Sequence, residues 1–562
     1  MKFNHSKVVL RALNSYDQRS PITGLGIKCI LDQMKNKSNN KLLNAILKRK
    51  SEVSKRLKLR QFRVLKEITN DELTYREMVI PSPFSALLEA FCFYELSKNN
   101  DFNISNSVYS YRMPEQGIKS SRNFEYYYNN YLDMNSKIAS LLQKQVGDCV
   151  LIIDLKSFYP SINTQKAMKG LEKSLPYRLV DGTFSEFTRG LPIGLDFSHV
   201  LAQNFLSSFD NEMKKHYGNR YFRYVDDISI ICNMNEKDIV LNNVKTHLPA
   251  GVEINLDKND IINKLNWLGY TEQLNVRKKL DNFSSMIHLY CMFNQHPEMI
   301  EQRLINAGYS IPLKKVIARI ETKTFKSYTK VLLDERLSMV ASIFRWSEDD
   351  FFNFLLNRKL FHLEEINTSL KDLSNNEITK DIKSRFSIQN IKFHISNLFY
   401  LLNDDELWSL NNSLPNIDAL AYVEDIATAL TQSNFSRLLT RGGRGVIIVA
   451  ELWQARNMKP INLDLSSLDN VTDAVENLVY LNLMDVITFS LESMSQLVDE
   501  DSFYFASSIL SRDKKFDNAS PYVKEVNSIF SSYDREELKS LLMSKFDKDE
   551  SSDFSAFENG LY

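Results

Sequence analysis

Two β-favouring runs, Tyr221-Phe222-Arg223-Tyr224 and Ile228-Ser229-Ile230-Ile231-Cys232, flank the short segment Val225-Asp226-Asp227. Strand formers on both sides of so brief a break predict a tight antiparallel hairpin with two adjacent carboxylates at its tip. Upstream, Val150-Leu151-Ile152-Ile153 is apolar without interruption, the pattern of a strand covered on both faces, and it ends in Asp154. Between these strands, residues 196–216 predict a helix, with Leu201, Phe205 and Phe209 at helical spacing. Helix and antiparallel strand therefore alternate, which predicts an α+β fold for the first half of the chain.

A carboxylate at the end of a buried strand is costly unless it is paired or holds a metal. The neighbours Asp226 and Asp227 repel each other, and a divalent cation relieves that repulsion. Phosphoryl transfer to a nucleoside triphosphate uses hard oxygen ligands around two Mg²⁺ ions roughly 3.5–4 Å apart. Asp154, Asp226 and Asp227 are the candidate catalytic and metal-holding residues, with Asp154 and Asp226 bridging and Mn²⁺ as an alternative ion.

Composition narrows the class. The chain has 562 residues, 43% hydrophobic and 25% charged, which suits two to four globular domains. No apolar run approaches the roughly 18–20 residues of a membrane-spanning helix, and Arg11 interrupts Val8-Val9-Leu10 before a signal peptide could form. A cytoplasmic protein with no membrane partner is the expectation. Cys29, Cys92, Cys149, Cys232 and Cys291 lie too far apart for a zinc module and are read as buried free thiols. The eight histidines form no H-x-x-x-H pair, so carboxylates must hold any metal. Net charge is zero, yet residues 41–66 are basic (Lys48-Arg49-Lys50, Lys55-Arg56, Lys58, Arg60, Arg63) and the end of the chain is acidic. A basic stretch beside such a constellation suits nucleic acid, although a solvated face carries the same pattern.

Beyond residue 276 the strand signals fade. Ile388, Ile391, Ile395, Leu398 and Leu402 keep a three-four spacing, as do Leu420, Val423, Ala427 and Leu430. Ser347 with Asp350 predicts a capped helix start. Arg437-Leu438-Leu439-Thr440-Arg441-Gly442-Gly443-Arg444-Gly445 is read as a basic, glycine-rich loop that could touch phosphate or simply lie on the surface. The expected division is 1–275, 276–340 and 341–562, the last two helical and repeat-like without a strict period.

Tyr-x-Asp-Asp at a hairpin, preceded by an apolar strand ending in Asp154, resembles the signature of reverse transcriptases. Gly190-Leu191-Pro192-Ile193-Gly194 followed by Ser198, Leu256-Asp257-Lys258 and Trp267-Leu268-Gly269-Tyr270 resemble that family's further motifs. Tyr75-Arg76-Glu77-Met78-Val79-Ile80-Pro81 and Ser110-Tyr111-Arg112 resemble its upstream ones, and all occur in the family's order. The resemblance implies a right-hand polymerase: fingers and palm over 1–275, a thumb-like region over 276–340, and a C-terminal helical domain. It implies a nucleotide site of Arg76, Arg112, Leu155, Tyr159, Gly194 and Lys258, and a primer grip of Trp267, Leu268 and Gly269. Tyr159, five residues after Asp154, matches the steric gate that favours deoxynucleotides; a core tyrosine is the plainer reading. Lys258 could protonate departing pyrophosphate or be a solvated lysine.

Two departures stand out. The family's usual Pro-Gln-Gly is Pro192-Ile193-Gly194 here, and isoleucine cannot make the glutamine's hydrogen bonds; Pro160 replaces an aspartate often found beyond the gate. With a helical C-terminal half, the layout looks like the bacterial abortive-infection and other antiphage defence reverse transcriptases. That likeness implies deoxynucleoside triphosphate substrates and a single-stranded DNA product, made without a template or attached to a priming tyrosine, in a homo-oligomer. Candidate priming residues include Tyr126, Tyr127, Tyr128, Tyr131, Tyr533 and Tyr562, with none singled out. The alternatives are a retron-like reverse transcriptase working with a non-coding RNA and a degenerate RNA-binding scaffold.

Overall fold

A strand covered on both faces needs a layer on each side, and β3 (Cys149–Lys156) has both. In the computed structural model Leu151, Ile153 and Leu155 point into one core and Val150 and Ile152 into another. This is the period-two alternation of a strand between two helical layers. The structure describes residues 5–17, 19–36, 56–69, 72–99, 104–171, 182–185, 187, 190–256, 259–280, 283–293, 297–313, 342–374, 382–468, 470–511, 516 and 518–544.

The sheet is antiparallel throughout. β3 pairs on one side with β5 (Asp227–Cys232), which pairs in turn with β4 (Tyr221–Tyr224). On its other side β3 pairs with β6 (Glu253–Ile254) near its end and with β7 (Asp260–Asn263) along its start. The helix expected over 196–216 is α5 (Asp196–Tyr217), whose Leu201, Phe205 and Phe209 join the core under Leu151 and Ile153, as do Val240 and Val244 of α6 (Lys237–His247). The opposite face is covered by α4 (Tyr127–Gln143) through Met134, Ile138 and Leu142, together with Trp267 of α7 (Lys264–Leu280).

Ahead of this sheet, β1 (Leu59–Thr69) and β2 (Glu72–Pro81) form a long hairpin. Around it lie α1 (His5–Tyr16), α2 (Pro21–Asn36) and α3 (Pro83–Asn99). These three do not form a core of their own. Val8, Leu13, Ile27, Leu87 and Tyr94 belong to one apolar core that runs on through the C-terminal helices as far as Leu538.

The C-terminal half is helical, as its periodicity predicts. It includes α8 (Glu348–Ser374), α9 (Ile382–Leu398), α10 (Ala421–Gln432), α11 (Gly443–Ala455), α12 (Val471–Leu483), α13 (Glu500–Leu510) and α14 (Pro521–Phe530). The Ser347 cap is present: its hydroxyl accepts from the Asp350 N–H at 3.2 Å, and the Asp350 carboxylate accepts from the Ser347 N–H at 2.9 Å. Three details differ from expectation. Leu402 lies beyond the end of α9, although it stays buried. Residues 461–462 and 487–488 make a short parallel strand pair within the helical half.

The third is the basic segment 437–445, which is no loop but a corner between the helix Ser436–Arg441 and α11. Gly442 alone breaks the helical path, at φ +124°, while Gly443 and Gly445 enter the first turn of α11. Arg441 pairs with the buried Asp425, and Arg437 lies 3.8 Å from Glu424, so their charges are met within the helical half. All five cysteines are buried free thiols. Among the described residues no helix is long and apolar enough to cross a membrane.

Candidate active site

The β3–β5 register brings the aspartates to one end of the sheet. Asp154 is the direct partner of Asp227, and the Leu155 N–H donates to the Asp226 carbonyl at 3.3 Å. Opposed residues of an antiparallel pair have Cβ atoms roughly 4.5–5.5 Å apart, where like charges destabilise. One Asp154 oxygen is oriented by the Asn255 side-chain amide at 2.8 Å, and the Asn255 N–H donates to the Asp154 carbonyl at 2.8 Å. Asn255 was not legible as part of the site, since it follows a strand only two residues long.

The hairpin tip is under strain. Tyr224 pairs with Asp227, which leaves Val225 and Asp226 as a two-residue turn, with Val225 at φ +57°. A β-branched residue in the left-handed region is a genuine outlier and persists only where its surroundings fix it. They do so here on both sides of the residue. The Val225 N–H donates to the Ser110 hydroxyl at 2.8 Å, and its carbonyl accepts from Arg223 Nη1 at 2.7 Å. Arg223 is itself buried, bonded to Asp210 at 2.6 and 2.7 Å and to the Gln203 side-chain oxygen Oε1 at 2.6 Å. Gln203 returns to the Ser110 hydroxyl at 2.9 Å, and Tyr221 adds a bond to Asp210 at 2.6 Å. A closed buried network thus sets the turn that carries Asp226.

Tyr159 stands on the short helical turn Phe158–Ser161, entered through Ser157 at φ +46°. Its hydroxyl is 2.5 Å from His199 Nδ1 and also hydrogen-bonds with Tyr111. Burial, Tyr111 and the nearby Asp226 push the Tyr159 hydroxyl well above its ordinary pKa. Burial likewise raises Tyr111 to about 12, with Asp226 contributing. Tyr159, Tyr111 and Asp226 therefore share one electrostatic neighbourhood.

Gly194 is required by a close approach of two backbones. At φ +120°, a Cβ there would lie 2.1 Å from the Val79 carbonyl oxygen, and the Val79 N–H donates to the Ile193 carbonyl at 2.8 Å. Gly190 is held similarly against Pro160, beside a 2.9 Å bond from the Leu191 N–H to the Tyr159 carbonyl. The glycine segment is therefore the joint between β2 and the end of β3. Arg76 lies three residues outward from Val79 on β2, roughly 10 Å along the strand, in register with Val64.

Other predicted residues have different surroundings. Arg112 donates to the carbonyls of Val108 (2.6 Å) and Asn106 (2.9 Å) and lies over the Tyr109 ring, so its guanidinium braces its own loop. Trp267, Leu268 and Gly269 lie on α7. Trp267 is buried with its indole N–H 3.4 Å from the Asn135 carbonyl, whereas Gly269 is exposed with open space about it. Asp257, Lys258 and Tyr562 lie outside the described residues.

Among the described residues no three His, Cys, Asp or Glu side chains close around one point as a metal cage. Mg²⁺ commonly takes one or two carboxylates together with substrate phosphates and water. Two or three aspartates at the open end of a sheet fit an ion that arrives with a nucleotide.

Residues 49–272 match the family model described as reverse transcriptase (RNA-dependent DNA polymerase), a span that contains the hairpin, the sheet and all three aspartates. No curated protein matches the chain. Domains of this kind generally use divalent metal ions, commonly Mg²⁺, and act on nucleotides and nucleic acid. The chain carries a reverse-transcriptase domain over residues 49–272 and is a nucleotidyltransferase, a DNA polymerase of the reverse-transcriptase kind.

Proposed function

We propose that this chain is an antiphage defence polymerase that adds deoxynucleotides through Asp154, Asp226 and Asp227, and starts synthesis without template direction on a hydroxyl of the protein. The observation that carries the catalytic part is the register of Asp154 against Asp227, with Asp226 bonded through its carbonyl to Leu155. When bound, two Mg²⁺ or Mn²⁺ ions neutralise charge on the reacting phosphates and ease deprotonation of the attacking hydroxyl. Asp154 and Asp226 would hold them, with Asp227 acting less directly. Arg76 offers a forked donor to phosphate oxygens. The Tyr159 ring lies against the sugar and disfavours a 2′-hydroxyl.

Support for synthesis without a template comes from side chains that are already engaged. Ile193 has no hydrogen-bonding group for base or template. On β1, the Arg63 N–H and guanidinium bond to Asp473 at 2.8 and 2.9 Å, and Arg60 lies 4.6 Å over the Phe505 ring. Lys58 is 3.1 Å from Glu525. On the grip side, Tyr270 of α7 stacks on Phe386 at 3.6 Å and bonds to Gln389, both from α9. The C-terminal half thus engages both the basic hairpin and the helix that would face a template and a primer.

The test is to incubate purified full-length protein with labelled deoxynucleotides and Mg²⁺, then denature it and separate it by size. Label that migrates with protein and is released by protease as DNA bearing a peptide remnant supports self-priming. Free DNA formed only on added primer and template overturns it. A defined complementary copy of a co-purifying RNA identifies a retron-like enzyme instead.

A further inference from the structure

We propose that His199, stacked beneath Tyr111, is a positioning residue that fixes the Tyr159 ring and thereby sets selection of deoxyribose over ribose. This rests on the reading of Tyr159 as the sugar gate, and the experiment below separates the two.

A gate discriminates only as well as it resists displacement. A 2′-hydroxyl that meets a mobile ring pushes it aside at little cost; one that meets an anchored ring must break the anchor. Tyr159 stands on a single helical turn, entered through a left-handed serine, and the bond from the Leu191 N–H to its carbonyl fixes its backbone but not the tip of its ring. The second point of fixation is its hydroxyl, 2.5 Å from His199 Nδ1, with the two rings edge-to-face at 5.6 Å and 81°.

His199 is itself immobilised. Tyr111 lies parallel to its imidazole at 3.7 Å and 9°, and Tyr111 is held at φ +50°, a backbone state that a non-glycine residue keeps only when its surroundings impose it. One helical turn earlier, Asp196 bonds to Arg19 (2.7 Å), Ser15 (2.6 Å) and Asn123 (2.8 Å), which pins the start of α5. Burial, with Arg19 adding to it, lowers the His199 pKa to about 3, so the ring is neutral near pH 7 and one nitrogen keeps a lone pair for the tyrosine hydroxyl. No metal aspartate takes part in this brace. His199 reaches the site through its bond to Tyr159.

The experiment compares each deoxynucleotide with its matching ribonucleotide in full-length His199→Leu, His199→Gln, Tyr159→Phe, Tyr159→Val and His199→Leu/Tyr159→Phe proteins with Mg²⁺. The readout is the ratio of the two kcat/KM values. His199→Leu lowers the ratio by about tenfold, the loss of one buried hydrogen bond, and Tyr159→Phe, which also gives up the bond to Tyr111, lowers it at least as far. The double variant loses no more than Tyr159→Phe alone, because that variant already lacks the bond that His199→Leu removes. His199→Gln, which can still bond the hydroxyl, recovers most of the ratio.

A wild-type ratio in an active His199→Leu protein, while Tyr159→Val lowers it, overturns the brace and leaves the gate standing. A wild-type ratio in active Tyr159→Val removes the gate, and the brace with it. Should His199→Leu fail to fold, Tyr159→Phe and His199→Gln decide: a wild-type ratio in the former, or an unrestored one in the latter, overturns the proposal. Complete loss of incorporation by folded His199→Leu gives His199 a different role and also overturns it.

Discussion

Asp154 and Asp227 face each other at the last paired position of β3 and β5, next to the turn that carries Asp226. Without a cation, this juxtaposition costs stability. Asp154→Ala and Asp226→Ala should each lower incorporation by about 10³-fold or more, since each removes stabilisation of charge that develops in the transition state. Asp227→Asn should be much milder in activity and should stabilise the metal-free protein by up to about 1 kcal/mol. Incorporation assays and melting in chelator measure the two effects. Robust incorporation by folded Asp226→Ala would end the two-metal reading.

The Arg223–Asp210 pair should be the most sensitive structural point behind the turn. Both side chains are buried, so Asp210→Ala leaves an unpaired charge and should cost about 3–5 kcal/mol. Replacing both, as Asp210→Leu/Arg223→Met, should restore much of that stability. It should not restore turnover, because the Val225 carbonyl still lacks its 2.7 Å donor. Denaturant midpoints read alongside incorporation rates check both halves. A cost below about 1 kcal/mol for Asp210→Ala would show that other contacts hold the turn.

How much of this was legible follows from the range of each interaction. The strand 150–153, the hairpin and the helix 196–216 announce themselves by local periodicity, and two sheet registers suffice to bring Asp154 to Asp227. The brace around Tyr159 does not. It joins Arg19, Tyr111 and His199, from three distant segments, and none bears a mark of its own beyond the motif Ser110-Tyr111-Arg112. Arg112, the residue that motif suggested, bonds within its own loop. Glycine counting misled at 437–445, where only Gly442 needs a positive φ. The pairing of Arg63 with Asp473 was invisible, since nothing local distinguishes that arginine from a nucleic-acid contact.

Stability should depend on pH through buried groups of opposite sign. Burial, with Arg358 adding to it, lowers the His362 pKa to about 3. From pH 6.5 down towards 3 the unfolded chain binds a proton that the folded chain refuses, so stability falls by about 1.4 kcal/mol per pH unit. Burial and Asp196 raise Glu89 to about 8, so its contribution is lost as pH rises from 4.5 towards 8. His362→Asn should therefore flatten the fall of stability below pH 6.5, and Glu89→Gln the fall between pH 4.5 and 8. Denaturant unfolding at pH 5, 6.5 and 8 distinguishes these slopes, and parallel curves for variant and wild type would refute the assignment.

The C-terminal helices should prove inseparable from the polymerase. The core of α1, α2 and α3 continues into them, and their acidic residues hold the hairpin that carries Arg76. Asp473 takes two bonds from Arg63, Glu476 bonds to Ser20, and Glu525 holds both Lys58 and the Phe84 N–H, the latter at 2.8 Å. A chain ending near residue 340 would uncover the apolar faces of three helices at once and should aggregate or lose activity. Glu525→Ala in the full chain is the gentler test. It leaves a backbone donor unpaired at a half-buried position, a cost of about 1–3 kcal/mol, and should give a soluble but less stable protein. Because Arg76 lies on the same hairpin, a loosened hairpin should raise the nucleotide KM several-fold while changing kcat less. Sedimentation and light scattering report on the truncation, and steady-state kinetics on the substitution. A soluble, fully active fragment ending near 340 would show that these helices are a detachable module and that the hairpin holds its place without them.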